Sequence, residues 1–94
     1  MKVYIAGQIS GNPNFKEHFE SVENKLKAMG HATTNPAILP DGFTQRDYMK
    51  ICLRMLDCCD AILLLDNWNE SQGATIEKLY AEKIGLIVLE ESWV

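Results

Sequence analysis

A short stretch about three quarters of the way along the chain has the residue types and the spacing that could do chemistry. Residues 71–77 read Ser-Gln-Gly-Ala-Thr-Ile-Glu. On a helix, Glu77 would share one face with Gly73 and Ala74, four and three residues before it, and these small residues would leave room for a ligand. Ser71 would either cap that helix or hold a phosphate oxygen. The competing interpretation of Glu77 is a surface carboxylate near a helix N-terminus, where the helix dipole favours negative charge.

A second stretch, residues 7–12, reads Gly-Gln-Ile-Ser-Gly-Asn and precedes another predicted helix. Gly7 and Gly11 permit tight turns and close approach of a ligand, and Ser10 adds a hydroxyl. Backbone N–H groups at the start of the following helix would favour an anion. The stretch has neither the dinucleotide-binding nor the P-loop pattern, so a plain turn between strand and helix explains it equally well.

Five further side chains are weaker candidates. Tyr4 lies on a predicted strand from which its hydroxyl could reach a cleft. Cys52 could face either the cleft or the core, and we favour the core. Trp68 could stack on a base or cover a subunit contact. We predict that His18 is solvated and that His31 has a structural role.

The elements that must position these residues alternate between strands and helices. Strands are predicted over residues 3–6, 31–35, 61–65 and 86–89. The second is polar and suits a sheet edge, whereas the third and fourth are continuously apolar, which predicts burial on both faces.

Helix boundaries follow from capping residues. Asn12 is predicted to cap the first helix, with Pro13 in its first turn and Gly30 at its end. Thr44 and Asp47 suit the start of the second helix. The third helix is predicted over residues 72–85.

This order predicts an α/β fold: a single-domain flavodoxin-like (Rossmann-like) three-layer sandwich with about four parallel strands in the order 2-1-3-4. Ligands of such sheets bind beyond the carboxyl ends of the strands, where the strand order reverses. The two stretches described above follow the first and third strands, so the site is expected between them.

Composition limits the function classes. The chain has 94 residues, expected to form one domain (1–94), with 47% hydrophobic and 23% charged residues. Nine basic against 13 acidic residues give a net charge of -4, which argues against nucleic acid or a membrane surface as partner. No apolar run approaches the roughly 20 residues of a membrane span, and no signal peptide is visible. Three cysteines, an odd number, suggest reduced thiols in the core of a cytoplasmic protein. We predict neither a metal nor a cofactor.

Three segments together resemble the nucleoside 2-deoxyribosyltransferase superfamily: residues 3–11, residues 59–62 and residues 68–77. The sequence is most similar to the small bacterial and phage branch whose function is not established, and more distantly to deoxynucleotide N-hydrolases. The Ser-x-Gly-Ala-x-x-Glu block is the most specific part, and the resemblance covers nearly the whole chain.

The resemblance implies cleavage of an N-glycosidic bond with retention. The glutamate at the position of Glu77 attacks C1′ of the sugar, displaces the base and leaves a glycosyl ester, which water or a second base resolves. Tyr4 matches a tyrosine near the nucleophile. The first loop and Ser71 match segments that hold the 5′-hydroxyl or 5′-phosphate. Subunits of the family complete one another's sites, and together with the apolar Trp-Val end of this chain this predicts a homodimer or larger homo-oligomer.

Two positions depart from the family pattern. Cys52 stands where many members carry an aspartate, and a neutral thiol binds hydroxyls poorly. Ser10 stands where phosphate-using relatives often carry an arginine, so bidentate phosphate binding is lost. A non-catalytic protein that binds a nucleotide or nucleotide-sugar is therefore the alternative function, and an interaction domain without a small ligand ranks last.

The candidate residues are thus two catalytic and eight substrate-binding ones. The catalytic pair is Glu77 and Tyr4, and the substrate-binding set is Gly7, Gln8, Ser10, Gly11, Cys52, Trp68, Ser71 and Gly73.

Overall fold

A parallel four-stranded sheet in the order β2-β1-β3-β4 organises the chain, as predicted. The computed structural model describes residues 1–94. The strands are β1 (Lys2–Ala6), β2 (Ala32–Thr34), β3 (Ala61–Leu64) and β4 (Ile87–Glu90). The helices are α1 (Phe15–Ala28), α2 (Gln45–Asp57) and α3 (Gln72–Lys83), with short 3₁₀ turns at Pro36–Ile38, Trp68–Glu70 and Glu91–Trp93. No helix is long and apolar enough to cross a membrane.

Side chains of the two central strands, β1 and β3, point alternately to the two faces of the sheet. The core therefore consists of two clusters, one on each face. Val3 and Ile5 of β1 pack against the buried residues of α1, which are Phe19, Val22 and Leu26. Side chains of β1 and β3 that point the other way pack against α2 and α3. The result is the predicted three-layer sandwich, with α1 alone on one face and α2 and α3 together on the other.

The start of α2 follows the predicted capping pattern. The hydroxyl of Thr44 accepts a hydrogen bond from the backbone N–H of Asp47 at 3.1 Å, and the Asp47 carboxylate accepts one from the backbone N–H of Thr44 at 3.1 Å. This reciprocal pair satisfies two N–H groups that the helix itself leaves free. It fixes the residue at which α2 begins, and so which α2 side chains face the sheet.

The predicted start of α1 is wrong. The helix begins at Phe15 rather than near Pro13, and its cap residue is Asn14, which makes no side-chain capping bond. The side chain of Asn12 instead accepts a hydrogen bond from the N–H of Asn14 at 3.2 Å. Asn12 therefore stabilises a turn ahead of the helix, an alternative that asparagine side chains commonly offer the backbone.

The predicted burial of the fourth strand is also wrong. Ile87 and Val88 are 51% and 39% exposed, because β4 pairs only with β3 and lies at the sheet edge. A third correction concerns the cysteines: all three are free thiols, but Cys58 is exposed, whereas only Cys52 and Cys59 are buried.

Candidate functional site

Tyr4 and Glu77 meet at the floor of a cavity between β1 and α3. Tyr4 is fully buried and Glu77 is 6% exposed. The Tyr4 hydroxyl donates a hydrogen bond to Oε2 of Glu77 at 2.8 Å, across 73 residues of sequence. A buried glutamate held by a single phenol donor is not the surface carboxylate of the competing interpretation. The contact engages only Oε2 of the carboxylate.

Cys52 completes the floor from α2. It is 7% exposed and belongs to the same core cluster as Tyr4 and as Ala74 of α3. Cys52, Tyr4 and Glu77 all line the cavity. The prediction that Cys52 faces the core therefore describes only part of its position, because the same thiol also borders the cleft.

Burial sets the protonation behaviour of this floor. Loss of hydration raises the pKa of Glu77 to about 7, although interactions with the Tyr4 hydroxyl and the Cys52 thiol partly oppose the shift. Burial, followed by the nearby Glu77 charge, raises the pKa of Tyr4 well above its ordinary value. Burial also raises the pKa of Cys52 to about 11. Tyr4 and Cys52 are thus neutral at pH 7, whereas Glu77 changes charge near that pH.

The cavity has a volume of about 430 Å³, within the range of small-molecule sites. Its walls come from the residues after β1, the start of α1, residues 36–41 after β2, one face of α2 and the start of α3. It therefore lies at the predicted reversal point of the strand order. Charged side chains at the cavity, besides Glu77, are Lys16, Asp41 and Glu70.

Six of the ten predicted site residues line this cavity. They are Tyr4, Ser10, Cys52, Ser71, Gly73 and Glu77. Ser71 is also the N-cap of α3, since its hydroxyl oxygen accepts a hydrogen bond from the Ala74 N–H at 3.1 Å. Ser71 therefore has the predicted helix-capping role, and the alternative, that it holds a phosphate oxygen, stays a prediction.

The other predicted residues of the first loop do not line the cavity. A Cβ atom at Gly7 would lie 2.6 Å from the Leu65 side chain, so the absence of a side chain there serves packing. The backbone N–H of Gln8 donates to Oδ1 of Asn67 at 3.1 Å, which ties the first loop to the loop after β3. Gly11 has a φ of +84°, a conformation that favours glycine.

Trp68 also lies outside the cavity wall. It packs against the cluster beneath α2 and α3, and the Lys78 ammonium lies 5.3 Å from its ring centroid. The cation is close enough to the ring face for a favourable electrostatic contact. In this position Trp68 stabilises the start of α3 rather than facing the cavity that holds Glu77.

Neither histidine reaches the cavity. His18 is partly exposed, as its predicted solvation requires, and its Nε2 also lies 3.0 Å from a carboxylate oxygen of Glu91. Nδ1 of His31 lies 2.9 Å from the α-amino group of Met1, and its ring lies 5.5 Å from that of Trp93. This packing fits the structural role predicted for His31. No three His, Cys, Asp or Glu side chains converge in an arrangement that could hold a metal ion.

Sequence reasoning missed the cavity wall formed by α2 and the segment before it. Gln45, Tyr48 and Met49 line the cavity from α2, and Asp41 lines it from the segment before that helix. A signal for the three α2 residues was present, because they lie seven, four and three residues before Cys52 and so share its helix face. Asp41 lies in a loop, where no periodicity indicates direction.

Comparisons with known proteins bear on the fold. A family model described as "Domain of unknown function (DUF4406)" matches residues 1–90. The chain therefore belongs to that family. No curated protein matches it.

Two solved structures have the same fold, and both are named as deoxyribosyltransferases. A 2-desoxiribosyltransferase from Leishmania mexicana superposes with a TM-score of 0.76 at 21% identity, covering 95% of this chain and 62% of that one. A 2-deoxyribosyltransferase from Bacillus psychrosaccharolyticus gives a TM-score of 0.76 at 19% identity, covering 96% of this chain and 71% of that one. The chain thus spans about three fifths to seven tenths of the length of these enzymes.

Proposed function

We propose that the protein cleaves the N-glycosidic bond of a nucleoside or nucleotide, with Glu77 as the nucleophile. The observation that carries the proposal is the buried Glu77 carboxyl group at the floor of the cavity, held through one oxygen by Tyr4. The fold shared with two proteins named as deoxyribosyltransferases supports the same reaction class.

The proposed reaction has two steps. Oε1 of ionised Glu77 attacks C1′ of the sugar, and the bond to the base nitrogen breaks with its electron pair going to the base, which takes a proton from water. A glycosyl ester on Glu77 remains. In the second step water, or a second base, attacks C1′ and gives up a proton to the solvent. The bond between C1′ and Oε1 breaks with its electron pair returning to Glu77, which restores the carboxylate. Tyr4 holds Oε2 throughout, which orients the attacking oxygen and stabilises the carboxylate as leaving group.

This assignment fixes the direction of the pH dependence. A nucleophilic carboxylate must be ionised in the free enzyme, and the pKa of Glu77 is about 7. We therefore expect kcat/KM to rise with pH and to level off above about pH 7 to 8. If Glu77 acted as a general acid instead, kcat/KM would fall over the same range.

The test is release of free base from a panel of deoxynucleosides and their 5′-monophosphates, followed by chromatography. Glu77→Gln should lower the rate by about 10³-fold or more. The matched control is Glu82→Gln, on the exposed side of the same helix, where the carboxylate pairs with Lys78 at 3.0 Å. Base release that survives Glu77→Gln would refute the mechanism.

Trapping the intermediate tests the covalent step separately. A nucleoside with fluorine at C2′ destabilises the cation-like transition states, so the glycosyl ester should accumulate and add the sugar mass to the protein. Digestion should place that mass on the α3 peptide that contains Glu77. Turnover without any adduct on that peptide would argue for direct attack by water.

A second candidate function, binding without cleavage, is favoured by one observation. The thiol of Cys52 stands beside Glu77 with a pKa of about 11, so it carries no charge and is a weak hydrogen-bond partner for a sugar hydroxyl. A ligand that raises the melting temperature of wild type and of Glu77→Gln equally, without base release, would select this function. A ligand at 100 times its Kd should add about 2.7 kcal/mol to the free energy of unfolding.

We also propose that the protein is a homodimer or larger homo-oligomer. Apolar side chains are exposed on two neighbouring elements, Ile76 and Leu79 on α3 and Ile87 and Val88 on β4. Burying such a surface against a second copy would remove it from water. Light scattering at micromolar concentration should give at least twice the monomer mass of 10.6 kDa, and a monomer would refute the assembly.

A further inference from the structure

One wall of the cavity is formed by a single face of α2, along which the side chains become more exposed toward the start of the helix. Cys52 at the floor is buried, Met49 and Tyr48 one turn away are half-buried, and Gln45 at the start of the helix is exposed. Seven residues at 1.5 Å each place Gln45 roughly 10 Å from Cys52 along the helix axis. That length is comparable with a nucleoside that stands with its sugar on the floor and its base toward the opening.

The middle of this wall offers an apolar surface and a fixed support. Met49 and Leu39 line the cavity between the floor and the opening, and a thioether packs well on an aromatic ring. The Tyr48 hydroxyl donates a hydrogen bond to the Pro40 carbonyl at 2.6 Å. Because that hydroxyl already donates to the protein, Tyr48 positions the segment before α2 instead of donating to a ligand.

The opening is bordered by two polar side chains without partners in the chain. The Tyr48 contact with Pro40 holds the neighbouring Asp41 beside the start of α2, where Gln45 is the first helical residue. Neither the Asp41 carboxylate nor the Gln45 amide makes a hydrogen bond or an ion pair within the protein, and both line the cavity. An ionised carboxylate only accepts hydrogen bonds, whereas an amide both donates and accepts.

We propose that Asp41 and Gln45 recognise the outer edge of the nucleobase, with Asp41 accepting from an exocyclic amino group and Gln45 donating to the ring nitrogen beside it, and that they thereby select adenine or cytosine. The inference rests on the proposed function, because Glu77 places the sugar at the floor. Adenine and cytosine present an N–H₂ donor next to a ring-nitrogen acceptor, which complements a carboxylate beside an amide. With Asp41 opposite the exocyclic group, a carbonyl oxygen there would face the carboxylate, and two acceptors cannot form a hydrogen bond with each other.

Binding to the Glu77→Gln protein tests the selection without turnover. The ligands are two pairs that differ only in amino or carbonyl substitution: 2′-deoxyadenosine with 2′-deoxyinosine, and 2′-deoxycytidine with 2′-deoxyuridine. By calorimetry, the amino member of at least one pair should bind about 10- to 100-fold more tightly. Equal affinities within both pairs, or no binding of any of the four at millimolar concentration, would overturn the proposal.

Substitutions then test the named residues. Asp41→Asn supplies a donor where only an acceptor stood, so it should abolish or reverse the preference within each pair, and Gln45→Ala should weaken it. Arg46→Ala is the control, because Arg46 adjoins Gln45 in the first turn of α2 but does not line the cavity. A preference that Asp41→Asn leaves unchanged would also overturn the proposal.

Failure of this inference is distinguishable from failure of the proposed function. Base release by wild type with no preference between amino and carbonyl bases would refute the role of Asp41 and Gln45 and leave the Glu77 mechanism standing. Amino-selective binding that depends on Asp41, with no base release by wild type, would support the subsite and refute the reaction.

Discussion

Replacing Glu77 by glutamine should stabilise the folded protein at neutral and alkaline pH while removing its proposed activity. The pKa of Glu77 is raised from 4.5 to about 7 by burial. Each pKa unit corresponds to 1.36 kcal/mol, so ionising this group in the folded state costs roughly 3 kcal/mol relative to the unfolded chain. Glutamine resembles the protonated glutamic acid in shape and carries no charge, so it avoids that cost.

The sign of the pH dependence follows from proton linkage. Between pH 4.5 and about 7 the folded protein retains a proton on Glu77 that the unfolded chain has already released. The stability that this raised pKa provides is fully present below pH 4.5 and is lost as the pH rises through about 7. The free energy of unfolding of Glu77→Gln minus that of wild type should therefore increase from pH 4.5 to 7 and become constant above about pH 8, by roughly 3 kcal/mol in all.

Urea unfolding followed by circular dichroism at pH 4.5, 6, 7, 8 and 9 measures this difference. Glu82→Gln on the exposed face of α3 is the control, and its difference from wild type should remain within about 0.5 kcal/mol at every pH. A difference between Glu77→Gln and wild type that does not change with pH would show that burial does not raise the Glu77 pKa. A glutamine variant less stable than wild type at pH 8 would contradict the charge argument directly.

Three further predictions concern the contacts around the site. Tyr4→Phe removes the donor that stabilises the ionised form, so the pKa of Glu77 should rise further, measured by carbon NMR of its carboxyl group and by a shift of the activity profile to higher pH. Gly7→Ala places a methyl group 2.6 Å from the buried Leu65 side chain and should cost about 1–3 kcal/mol in urea unfolding. Gly73→Ala is its control, because a Cβ atom there would come no closer than 3.8 Å to the Ser71 hydroxyl oxygen, and it should leave stability nearly unchanged. Glu91→Ala removes the acceptor of both the Asp66 N–H at 2.8 Å and the His18 ring, so it should lower the free energy of unfolding by about 1–2 kcal/mol.

Much of the fold could be predicted because its signals are local. The Thr44 and Asp47 pair indicated the start of α2. The buried residues Phe19, Val22 and Leu26 of α1 are three and four residues apart, a spacing that marks one face of a helix. The exposure of β4 could not be predicted in this way, because an apolar strand has the same sequence whether or not another element covers it. Asn12 was misjudged because asparagine caps turns as readily as it caps helices.

In the candidate site, too, only the residues with a local signal could be predicted. Glu77 could be predicted because its spacing from two small residues and its place after the third strand are both visible in the sequence. Its contact with Tyr4 spans 73 residues and depends on the register of β1 beside β3, which no local pattern encodes. Asp41 follows Pro40, whose carbonyl accepts a hydrogen bond from Tyr48, so its place at the cavity depends on the fold of a loop.

The stability cost at Glu77 and its proposed reactivity have the same physical cause. Water that is excluded from the floor no longer solvates the carboxylate, which raises its pKa and leaves Oε1 free to approach a ligand. Tyr4 and Cys52 limit the cost because each is neutral and each favours the ionised form, whereas a second carboxylate at position 52 would add repulsion and raise the Glu77 pKa further. With a thiol at that position, Glu77 is half ionised near pH 7. At that pH about half of the molecules carry the proposed nucleophile in its ionised form, and the free energy of unfolding falls by only part of the full cost of the charge.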